Sequence, residues 1–124
     1  MSVLLFLLAC TPLVGDWAGE ADCGDYAMDV ELSLEWGDGE YEGEGWLDCT
    51  DAFGTDCEQT FEVQVEAGGA FGEQDLDVDV DDCQYEIGGS SGEVPCDNPD
   101  DVDWDGADAI TGDWGACDFE LERE

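Results

Sequence analysis

The eight residues Asp29-Val-Glu-Leu-Ser-Leu-Glu-Trp36 decide the fold class. Val30, Leu32, Leu34 and Trp36 fall on one side of an extended chain, with Asp29, Glu31, Ser33 and Glu35 on the other. Alternation of this kind marks a half-buried strand, because successive side chains leave a pleated backbone on opposite faces. The same pattern recurs outward along the chain. Phe61-Glu-Val-Gln-Val-Glu-Ala67 places Phe61, Val63, Val65 and Ala67 inward, and Asp75-Leu-Asp-Val-Asp-Val-Asp81 does so with Leu76, Val78 and Val80. These inward sets are rich in Val and aromatics, which suit a pleated surface. Gly37-Asp38-Gly39, Gly68-Gly69 and Gly88-Gly89-Ser90-Ser91-Gly92 mark the reversals between runs. After Val80 the alternation slips to Cys83, Tyr85 and Ile87, so Asp81-Asp82 is a tight turn or a bulge. No stretch shows a helical face. About seven strands are expected, in an all-β antiparallel domain that is either a small up-and-down barrel or a two-sheet sandwich.

A short internal echo favours closure. Gly15-Asp16-Trp17 returns as Gly112-Asp113-Trp114, each followed by a cysteine, Cys23 and Cys117. Glycine lets a neighbouring backbone come close, and the adjacent Trp has the size to plug one end of a narrow barrel. Gly-x-Trp on a first strand resembles the lipocalin and avidin group of barrels, which would imply a lumen able to take a small apolar or sugar ligand. Trp46 shares its strand face with Glu42, Glu44 and Asp48, where a Trp suits stacking on a sugar ring or covering a loop.

Charge limits the partners. The chain of 124 residues carries 36 Asp and Glu against one Arg, Arg123, with no Lys or His, a formal charge of −35. Nucleic acid, nucleotide phosphates and anionic lipid headgroups are disfavoured, since nothing neutralises their phosphates. Metal cations, polyamines, basic peptides and positively charged polymers fit. Self-repulsion on this scale opposes a compact state and is relieved by salt, which at physiological strength screens beyond about 8 Å. A salty habitat or a bound divalent cation is therefore expected.

Val3 to Ala9 is apolar and far too short to span a bilayer, and it reads as the apolar core of a secretory signal. Leu7-Leu8-Ala9-Cys10 resembles the lipobox of bacterial lipoproteins. That resemblance implies cleavage before Cys10, with Leu7 and Ala9 as recognition positions and a diacylglycerol on the Cys10 thiol. It divides the chain into a signal peptide at 1–9, a lipidated tether at 10–13 and a single acidic β domain at 14–124. Thr11, where the family's inner-membrane retention signal would place Asp, implies an outer-membrane destination. A membrane is thus a partner through the lipid anchor.

Setting Cys10 aside leaves six cysteines: Cys23, Cys49, Cys57, Cys83, Cys96 and Cys117. Export exposes them to oxidising conditions, and the absence of both Cys-x-x-Cys pairs and His argues against zinc. Three disulfides are expected, with Cys49–Cys57 and Cys83–Cys96 closing local loops and Cys23–Cys117 joining the two Gly-Asp-Trp strands.

Asp101, Asp103, Asp105 and Asp108, with Gly106 among them, resemble the start of a calcium loop, in which carboxylates converge on a hard cation. The rival reading is a solvated acidic face, as in Asp75 to Asp81. Catalysis is narrowed by absence: without His or Lys there is neither a Ser-His or Cys-His nucleophile nor a Schiff base. Paired carboxylates of the glycoside-hydrolase type are the one arrangement left. The expected function is non-catalytic, a binding or surface-structural module with calcium as the candidate ion and a lipocalin-like binder as the alternative.

Overall fold

A computed structural model describes residues 13–37, 39–67 and 74–124. They form nine strands and one short helix: β1 (Gly15–Asp22), β2 (Ala27–Gly37), β3 (Glu40–Asp48), α1 (Thr50–Phe53), β4 (Cys57–Ala67), β5 (Gln74–Ile87), β6 (Ser90–Glu93), β7 (Asp100–Trp104), β8 (Ala109–Trp114) and β9 (Cys117–Arg123). Every pairing is antiparallel, and all but β5–β7 and β1–β9 join neighbours in the chain. β9 closes the ring against β1. The sandwich alternative is thereby excluded, and the fold is a closed up-and-down barrel.

The barrel has eight staves because β6 and β7 together make one. Both pair with the same edge of β5, β6 through Gln84 to Ile87 and β7 through Gln74 to Leu76. Between them run Pro95 and Pro99, which have no N–H to give a ladder. The Asn98 side chain fills in. Its Oδ1 accepts the Val80 N–H at 2.8 Å, and its Nδ2 donates to Asp79. Counting only alternating runs misses this broken stave, hence nine strands against about seven expected.

The phase slip after Val80 is a bulge. Asp82 and Cys83 of β5 stand opposite the single residue Phe61 of β4, and Asp82 has φ of 51°. The extra residue returns Cys83 to the inner face, so that Val80 and Cys83 are both buried. A second bulge sits at Asp101 and Val102, opposite Gly112, with Asp101 at φ of 51°. Asp tolerates this left-handed conformation better than most residues.

The inner face matches the alternation, with Val30, Leu34, Phe61, Val63, Val65, Leu76 and Val80 all buried. Two expected inward residues differ. Trp36 is exposed and Ala67 also faces solvent, because each stands at a strand end where the pleat leaves the core. Large rings fit a narrow barrel through glycines directly across the ladder. The Phe61 ring lies over Gly45 and the Phe119 ring over Gly112, each where a Cβ would collide with it.

The two ends differ. At the closed end, Leu13, Trp17 and Trp104 are buried together with the start of β1 and the end of β9. Leu13, the last residue of the expected 10–13 tether, is fully buried, and its carbonyl accepts the Trp17 indole N–H at 3.0 Å. Leu13 is therefore part of the core. The opposite end carries all three disulfides: Cys23–Cys117 joins β1 to β9, Cys49–Cys57 staples the α1 loop, and Cys83–Cys96 ties β5 to the broken stave. The pairing follows the expected scheme. The Gly68-Gly69 reversal, Asp38 and everything before Leu13 lie outside the described residues. Where the other reversal is described, Gly88 and Gly89 take positive φ of 56° and 88°, as a two-residue hairpin turn requires.

Candidate functional site

The chain's one basic side chain sits at the closed end. The Arg123 guanidinium lies 4.3 Å from the centre of the Trp17 ring and donates through Nη1 to the Val14 carbonyl at 3.0 Å. Nη2 reaches the Ala107 carbonyl at 3.4 Å, and Nε lies 3.4 Å from the Asp108 carboxylate. Gly15, at φ of 134°, leaves room for the guanidinium, since a Cβ there would stand 3.2 Å from Nη1. Arg123 thus fastens the first strand, the last strand and the β7–β8 loop over the buried Trp17.

That arrangement decides the fate of the calcium-loop residues. Asp108 faces Arg123. Asp105 closes its own hairpin, its Oδ1 accepting the N–H groups of Ala107 at 2.7 Å and Ala109 at 3.1 Å. These hydrogen bonds to the ionised form hold its carboxyl below the usual carboxylate range. Asp103 is on the outer face of β7 between Asp75 and Thr111, and Asp101 occupies the bulge further along the strand. The expected convergence does not form, because the strand spaces Asp101 and Asp103 along the surface while the turn consumes Asp105. Gly106 has the positive φ of 87° foreseen for a sharp turn, but the turn is a hairpin. Among the described residues, no three acidic or thiol groups gather in a way that would hold a metal ion.

A different acid pair was not singled out by sequence. Asp113 and Asp118 are directly opposite each other across β8 and β9. Hydrogen bonding to Asp118, partial desolvation and the charges of Asp118, Asp101 and Asp100 push the Asp113 carboxyl up. Asp113 is half-buried and Asp118 exposed. The register of β8 against β9 brings them together, which spacing alone does not reveal.

A pocket inside the barrel is lined by apolar residues such as Val30, Leu34, Val63, Leu76, Val102 and Leu121, with about 50 Å³ of free space. Ligand pockets usually offer about 300–1,000 Å³, so the barrel is filled by its own side chains. At the disulfide end, Trp114 packs edge-on to Phe61 and donates its indole N–H to the Asp97 carbonyl at 2.7 Å. The two echoing tryptophans therefore sit toward opposite ends, Trp17 fully buried and Trp114 half-buried. Trp46 lies on the outer face of β3, half-buried, as its place in the alternation requires. No protein-family model, curated protein or solved structure matches the chain.

Proposed function

We propose that this protein is an exported lipoprotein, anchored through Cys10, whose barrel is a non-catalytic binding or surface-structural module for cationic partners. The observation that carries the reading is the cysteine pairing. Six cysteines are joined in three disulfides, and the seventh in the sequence is Cys10 at the end of Leu-Leu-Ala-Cys. Disulfides suit an oxidising compartment, and a lone cysteine directly after a small residue and an apolar run suits acylation. Two acyl chains, at about 0.8 kcal/mol per buried CH₂, make release from a bilayer rare. An outer-membrane destination follows the Thr11 resemblance. The filled lumen turns attention to the outer surface, where the acids repel phosphates and attract cations.

Mass spectrometry of the native product tests the anchor. The expected product begins at Cys10 and carries the mass of its acyl chains, and Cys10→Ser moves the protein from the membrane to the soluble fraction. A product retaining residues 1–9 with an unmodified thiol would overturn the anchor.

A further inference from the structure

We propose that the outer sheet face centred on Trp46 docks a lysine- or arginine-rich polypeptide segment, a basic side chain resting on the indole. This rests on the reading of the barrel as a binder of cationic partners and names the surface and the partner chemistry.

The five tryptophans are not equivalent. Trp17, Trp104 and Trp114 each donate the indole N–H to a backbone carbonyl, of Leu13, Ala107 and Asp97 respectively. Trp36 stacks edge-on against Tyr41, ring centres 5.0 Å apart. Trp46 has neither a ring partner nor an acceptor for its N–H among the described residues, although it projects from the middle of a continuous sheet. An outward, half-buried indole of this kind leaves part of its ring and its N–H to a partner.

The register supplies its surroundings. Glu31 of β2 and Thr60 of β4 stand directly across from Trp46. Glu44 and Asp48 lie two residues away on the same strand face, and Glu62 and Glu58 are their partners on β4. Direct neighbours are about 5 Å away and diagonal ones about 7–8 Å. Glu31, Glu44 and Glu62 border the groove that holds Trp46, and Asp48 and Glu58 continue the acidic surface beyond it. A cation on the indole gains from the ring's quadrupole and from the acids together, and an ammonium or guanidinium is the cation that also tolerates apolar contact along its stem.

The shape favours a polypeptide over a small amine. The open groove around Trp46 has a volume of about 640 Å³ and is bordered by Asp16 of β1, Ser33 of β2 and Gln84 of β5 as well. Crossing from β1 to β5 is about 19 Å, the length of roughly six extended residues. A strand of basic peptide can lie along it with one side chain at Trp46 and others over the flanking acids.

The test is binding of octalysine to the full protein by calorimetry at fixed ionic strength, with spermine and fully acetylated octalysine as comparison ligands. Octalysine is expected to bind, and acetylated octalysine is not. Trp46→Leu should weaken octalysine about five- to thirty-fold, with Trp46→Phe falling in between. Glu31→Gln with Glu44→Gln should cost more than the equal charge loss of Asp75→Asn with Asp77→Asn on β5. Circular dichroism confirms that each variant is folded. Binding that ignores Trp46 and follows net charge alone would overturn this surface while leaving a cation-binding barrel intact. No octalysine binding would overturn both, and spermine binding as tightly as octalysine would make the occupant a small polyamine instead.

Discussion

Replacing Arg123 with Met keeps most of the side-chain volume and removes the charge and the fork of donors. The loss follows from its contacts. The guanidinium over Trp17 is partly shielded, and such a contact contributes about 1 kcal/mol. The Val14 carbonyl loses a charge-assisted hydrogen bond, at about 1.5–2 kcal/mol. The pairing with Asp108 adds little, about 0–0.5 kcal/mol, because that carboxylate is 78% exposed. Together this predicts a destabilisation of about 3 kcal/mol, or about 10 °C in Tm for a domain of this size. Arg123→Lys retains the charge but cannot hold Trp17, Val14 and Ala107 at once, so it should lose about half as much. Urea unfolding with unchanged m-values is the assay. A loss under 1 kcal/mol for Arg123→Met, or an Arg123→Lys variant equal to the parent, would refute the role given to the planar group.

Three further outcomes are expected. Replacing both cysteines of Cys23–Cys117, 94 residues apart, should cost about 4–5 kcal/mol, against about 2.5 kcal/mol for Cys49–Cys57, 8 residues apart, by denaturant unfolding; equal losses would contradict the loop-entropy account. Asp113 has a raised folded-state pKa, so its contribution is favourable below about pH 3.9 and is lost as pH rises through the raised value. Asp113→Asn, whose amide can donate to Asp118 at every pH, should therefore have a higher Tm than the parent at pH 7, an advantage that shrinks toward pH 3. NaCl should raise Tm as the screening length shortens from about 10 Å at 0.1 M to about 3 Å at 1 M. CaCl₂ at matched ionic strength should add little at the 101–108 segment, and a sharp gain at micromolar Ca²⁺ would show that a site assembles there.

Much of the barrel was legible in the sequence because its strands are half-buried. Val30, Leu34, Val63 and Val80 alternate with polar residues so regularly that the inner face could be assigned, apart from strand ends such as Trp36 and Ala67. The bulge at Asp82 was visible as a change of phase. The Gly-rich reversals at 37–39 and 88–92 located the β2–β3 and β5–β6 hairpins, and sequence separation suggested the disulfides. What stayed hidden depends on contacts between distant segments. Asn98 substitutes for a missing ladder donor, which no local pattern announces. Arg123 meets Trp17 only after the barrel closes, and Asp113 meets Asp118 through register. The Asp101–Asp108 spacing misled because, with 36 acids, similar spacing also arises on the wet side of an ordinary strand.

Because β1 and β9 are partners and the Glu124 N–H donates to the Asp16 carbonyl, the start of β1 and residue 124 lie side by side. The barrel wall is a ring cut at one place, and the cut can be moved. A few glycines joining 124 to 13, with new ends made between Gly88 and Gly89, would give a circular permutant with every stave in its present order. In such a molecule an attached surface or label would leave from the disulfide rim, turning the whole body over relative to whatever holds it.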